Sequence, residues 1–181
     1  MILHLFRQKN PLAGPASALY AAAVAQARRP EFYGRGGVPD SLDGRFDMVA
    51  LQVYLLLRRL KRDGESAAPL SQALFDRMFE DMDHNLREIG VGDLVVGKRI
   101  KEMAKAFYGR IAAYDRGLAE GGASLGEALR RNLFRGTLPQ DVQVAAVARY
   151  LATATAALEA QTLADLMAGR AAFPPFEGDI P

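Results

Sequence analysis

Apolar positions recur three and four residues apart through most of the chain, and the pattern resets at a few glycines and prolines. Pro15 suits the first turn of a helix running through Leu19, Tyr20, Val24 and Ala27 to Arg28, where Arg29-Pro30 stops it. Ser41 or Asp40 caps the next. Its Leu42, Phe46, Val49, Val53, Leu56 and Leu60 form one face, while Met48, Leu51, Tyr54, Leu55 and Leu57 cover much of the rest. A helix apolar nearly all round belongs at the centre of a bundle. Its basic end, Arg58, Arg59, Lys61 and Arg62, complements the negative pole of the helix dipole. Ser71 opens a third helix, whose Phe75, Met78, Phe79, Met82, Leu86 and Ile89 share a face and which Gly90 ends. Gly92 and Gly97 permit close backbone approach at this corner, and Asp93 is placed to cap a fourth helix. The stripe Val96, Ile100, Met103, Phe107, Ile111, Tyr114 and Leu118 carries that helix to about Glu120.

Gly121-Gly122 breaks the stripe, and Ser124 with Glu127 makes a capping box for a short helix over 125–134. Pro139 starts a long alanine-rich helix over 140–168 that Gly169 ends. Prolines keep the tail, 173–181, extended. The pattern predicts a single all-α bundle of about six helices, with an arm at 1–14, a helical domain at 15–169 and a tail at 170–181. The segment 31–40 is glycine-rich and forms no regular element, yet Phe32, Tyr33 and Val38 want burial. Those side chains either pin the loop to the core or face a partner.

Composition adds little to the fold and more to the exclusions. The 181 residues are half hydrophobic and a quarter charged, as in an ordinary globular domain. Without cysteine there is no disulfide framework, thiolate metal site or cysteine nucleophile. The net charge of +2 does not indicate a nonspecific polyanion binder. Charge is nevertheless segregated. Residues 76–88 hold five acids against two arginines, whereas 98–116 hold six bases against Glu102 and Asp115. The N-terminal arm is too short and charged for a secretory signal, and no apolar run is long enough to span a membrane.

The candidate chemistry is thin. Asp81 and His84 stand three apart, as in bundle di-iron sites, but His4 is the only other histidine. Asp76, Glu80 and Asp83 fall on the face away from the apolar stripe, where solvated charge is expected. The serines lie at caps or in loops, and the glycines at 34–37 and 92–97 lack the rest of a phosphate-loop motif. No enzyme, metal or cofactor is expected. The helix over 98–116 presents Lys98, Lys101 and Lys105 along one side, a face suited to phosphate or acidic lipid.

Two blocks carry a resemblance. The run FDRMFEDMDHNLREIGVGDLVVGKRIKEMAKAFYGRIAAYD, and upstream FYGRGGVPDSLDGRFDMVALQVYLLLRRLK, resemble the ubiquinol–cytochrome c chaperone family over roughly residues 17–120. The resemblance implies an assembly chaperone that holds newly made cytochrome b before respiratory complex III assembles. Mitochondrial relatives imply two further partners, a ribosome and a small partner subunit. Lacking a mitochondrial targeting pattern, the chain reads as a bacterial, cytoplasmic member, extending to peripheral association at the inner face of the membrane. The expected client surface joins the loop, with Phe32, Tyr33, Val38 and Asp40, to the corner, with Gly90, Gly92, Asp93, Lys98 and Arg99, continued by Lys101 and Lys105. The competing reading is a ribosome- or RNA-associated factor that uses the basic helix.

Overall fold

The structure, a computed structural model, describes residues 11–177. The described residues form eight α-helices and no strand: α1 (Ala13–Ala27), α2 (Pro30–Tyr33), α3 (Leu42–Lys61), α4 (Ala68–Glu88), α5 (Asp93–Glu120), α6 (Gly122–Asn132), α7 (Asp141–Glu159) and α8 (Leu163–Met167). A 3-10 turn, Gly64–Ser66, precedes α4. Two local events raise the expected six helices to eight. Pro30 starts a single turn inside the supposed loop, and the alanine-rich helix stops at Glu159. Thr162 then opens α8, its hydroxyl accepting from the Asp165 amide at 3.1 Å.

Several expected boundaries move. Helix α4 begins at Ala68, with Pro69 in its first turn, rather than at Ser71. Helix α6 starts directly at Gly122 and uses no Ser124–Glu127 box. The capping box belongs instead to Gln140 and Gln143 at the start of α7. Leu42 leaves the apolar face and is 74% exposed. Ser41 caps α3 as its sequence suggests, accepting from the Gly44 amide at 3.1 Å.

Helix α3 is the central element. Its Met48, Leu51, Val53, Tyr54, Leu55 and Leu56 are buried against α1, α4 and α7. Helix α5 packs on α4 at its middle, where Phe107 meets Phe79, and on α6 near its end. Gly117 permits the second pairing, because a Cβ there would meet Leu125 Cα at 2.8 Å.

Buried polar groups tie the helices together at points that apolar periodicity does not reveal. The Asp47 carboxylate lies between Arg110 and Arg135, each reaching it at 2.7 Å. Arg59 donates to the carbonyls of Leu158 at 3.0 Å and Gln161 at 2.8 Å, satisfying acceptors at the end of α7. Gln26 donates to the Tyr150 hydroxyl, which donates to Gln52 at 2.8 Å. The same Gln26 amide donates to the Pro174 carbonyl at 2.9 Å, which fixes the tail. Phe176 then packs against Phe32 and Tyr150, with ring centroids 4.8 and 5.9 Å away.

Candidate functional site

The loop expected to face a partner is mostly turned inward. Phe32 and Val38 are 0% and 2% exposed, and Phe32 meets the Tyr150 ring edge-on at 4.8 Å. Tyr33 is half-buried and donates to the Ala27 carbonyl at 2.7 Å, with the Arg45 guanidinium over its ring. These side chains therefore pin the loop, and neither Phe32 nor Val38 offers exposed surface to a partner. Asp40 stays exposed, and the Arg45 guanidinium bonded to it holds its carboxyl below the usual range. A depression of about 620 Å³, lined by Arg28, Pro30, Tyr33, Asp40 and Arg45, lies beside the loop.

The corner between α4 and α5 is built from backbone. Gly90 has φ +85, and its amide reaches the Arg87 carbonyl while the Val91 amide reaches that of Leu86. This pair of bonds closes the last turn of α4 on a left-handed residue, as the sequence suggests. Asp93 does not cap α5. Gly92 is the N-cap residue, with no side-chain bond, and the Asp93 carboxylate pairs with Arg87 of α4. Arg87 also holds Asp83 at 2.6 Å, which lowers that carboxyl's pKa. His84 lies 3.1 Å from Glu88, both exposed, and no group of metal-ligating side chains is present among the described residues.

Beyond the corner the exposed face of α5 carries Lys98, Arg99, Lys101 and Lys105. Ile89, Leu94 and Val95 are 62%, 97% and 47% exposed at its start. No hydrogen bond, ion pair or ring contact among the described residues joins this corner to the loop 32–40.

A second apolar feature lies where α3, α4 and α5 meet. A shallow hollow of about 330 Å³ is lined by Leu57, Phe75, Tyr108 and Ile111, with Lys61 and Gln72 on its polar side. Tyr108 is 60% exposed, and its ring stacks on Phe75 at 5.5 Å. Sequence reasoning missed this hollow because it assigned Leu57, Phe75 and Ile111 to apolar faces expected inside the bundle. The aromatic at 108, one position beyond the core residue Phe107, was the available signal. No described helix is long and apolar enough to cross a membrane.

Comparison with known proteins agrees over the whole described fold. The profile of the ubiquinol-cytochrome C chaperone family matches residues 35–173. Ubiquinol-cytochrome c reductase complex assembly factor 1 of Mus musculus is 26% identical over 149 residues, 82% of this chain and 50% of the relative. The Homo sapiens protein of that name is 29% identical over 116 residues, 64% of this chain and 39% of its own length. The chain thus spans about half the length of these curated relatives or less. The crystal structure of the Cbp3 homolog from Brucella abortus superposes with a TM-score of 0.82 at 35% identity, covering 98% of each chain. By the extent of the profile match, the chain belongs to the ubiquinol-cytochrome C chaperone family.

Proposed function

We propose that this protein is an assembly chaperone for the ubiquinol–cytochrome c reductase, binding newly made cytochrome b and catalysing no reaction. The observation that carries the reading is the family match across residues 35–173, within a fold shared from end to end with the Brucella Cbp3 homolog. The hollow formed by Leu57, Phe75, Tyr108 and Ile111 is the client contact in this proposal. An apolar patch rimmed by polar groups suits a transient grip on an unassembled membrane subunit. It takes the place of the loop, whose Phe32 and Val38 are committed to packing. Tyr108 gives the grip a large, rigid ring already braced by Phe75.

Site-specific photocrosslinking in cells tests the placement. A photoreactive residue at Tyr108 or Ile111 should capture cytochrome b, and one at Arg149 on the exposed side of α7 should not. Capture from Arg149 but not from either hollow position would move the client elsewhere. Absence of cytochrome b from every adduct would remove it as the client.

A further inference from the structure

The charge of α5 is one-sided. At 3.6 residues per turn, Leu94, Lys98, Lys101, Lys105 and Arg116 fall on one side of the helix, opposite the buried Val96, Phe107 and Tyr114. All five are exposed, and none of the four cations has an ion-pair partner among the described residues. The nearby carboxylates are otherwise engaged. Asp83 and Asp93 are held by Arg87, Glu88 by His84, and Asp115 by Arg58 on the core side. Only Glu102 tempers the stripe. Its start adjoins the exposed Ile89, Leu94 and Val95, which surround the Gly90–Gly92 turn. Leu94 and Lys105 lie roughly 16 Å apart along one rigid axis.

We infer that this face of α5 docks the protein on an anionic phospholipid surface, with Leu94, Ile89 and Val95 entering the headgroup boundary and Lys98, Lys101 and Lys105 meeting the phosphates. Charge complementarity selects the occupant. A row of free cations leading to a small apolar end matches an interface where phosphate lies immediately above acyl chain. Single-stranded RNA also answers to cations, but it calls for several free rings on which successive bases stack, and of the rings on α5 Phe107 and Tyr114 are buried, leaving Tyr108 alone. The core residues Val96 and Phe107 hold α5 in place, so the face is presented without a folding step. The inference does not depend on the identity of the client.

Sedimentation of the purified full-length chain with vesicles tests it. The protein should pellet with phosphatidylcholine–phosphatidylglycerol vesicles, remain in solution with pure phosphatidylcholine, and release as salt rises. Lys98→Glu/Lys101→Glu/Lys105→Glu should weaken binding more than about a hundredfold, at roughly fivefold or more per cation. Leu94→Ser should weaken it severalfold at every salt concentration. Arg131→Glu/Arg149→Glu, exposed cations on α6 and α7, should bind like the wild type. Circular dichroism verifies the fold, and the lysine-to-glutamine set replaces the triple reversal if that variant unfolds. The inference fails if the wild type ignores anionic vesicles, or if the Arg131/Arg149 variant loses as much as the triple variant. It also fails if the stripe shifts RNA in a gel while leaving vesicles unbound. No client is present in this assay, so its failure and failure of cytochrome b capture are separate results.

Discussion

Gly90 shows how one residue sets the direction of a helix pair. Its φ of +85 costs an L-residue energy that glycine avoids, and nothing lies within 4 Å of the position a Cβ would take. Space is therefore not the constraint, and backbone strain is. Gly90→Val should lower stability by about 1–2 kcal/mol, with Gly90→Asn milder, in chemical denaturation. An unchanged midpoint for the valine variant would show that the corner relaxes freely. Asp93, three residues on, teaches the converse. Its position suits a cap, but Arg87 across the corner takes its carboxylate, a choice that depends on where two helices meet.

Tyrosines give the residue scale its pH dependence. Burial pushes Tyr150 up to about 12, and burial likewise raises Tyr20, Tyr54 and Tyr114. These phenols stay neutral in the fold while the unfolded chain ionises near 10.0. Their contribution is complete below pH 10 and is lost as pH rises toward and past 12. Melting temperature should hold steady below pH 10 and then fall, with tyrosinate absorbance from the buried rings rising together with unfolding. Titration of Tyr20, Tyr54, Tyr114 and Tyr150 near pH 10 in the folded protein would contradict their burial.

At the scale of elements, what could be read in advance follows the strength of the apolar stripe. Helix α3 is covered by neighbours on several sides, and its all-round apolar pattern announces that position. The α4–α5 corner is legible because glycine chemistry is local. The α7–α8 break is not, since good helix formers stand on both sides of Thr162 with no glycine or proline between them, and only its use as a cap shows the stop. The tail shows the same limit. Its prolines predict extension, but its lodging beside Tyr150 depends on Phe32 and Gln26, more than a hundred positions away. Phe176 is 5% exposed, so Phe176→Ala should cost about 3–5 kcal/mol in denaturant unfolding. A loss below about 1 kcal/mol would mean that the tail merely rests on the bundle.

At the scale of the whole molecule, the loop and the corner fall into different roles. The loop 32–40 closes the bundle, while the hollow and the outer side of α5 remain open to partners. Periodicity could assign helices but could not separate these roles, because Phe32 and Tyr108 are both aromatics within two residues of a glycine and only packing decides which is buried. The hollow requires three helices to converge, so its one hint in the sequence, an aromatic at 108 next to Phe107, does not place it. The family blocks imply a client, and the fold leaves an apolar hollow between α3, α4 and α5 with a cationic face on the same α5.

The haem b absorption of membranes from cells lacking this gene bears most directly on the assembly role. Loss of the cytochrome b signal, restored by the wild-type chain and not by Tyr108→Ser/Ile111→Glu when that variant is folded and equally abundant, is the predicted result. Undiminished cytochrome b and fully active ubiquinol–cytochrome c reductase in the deleted strain would contradict the account.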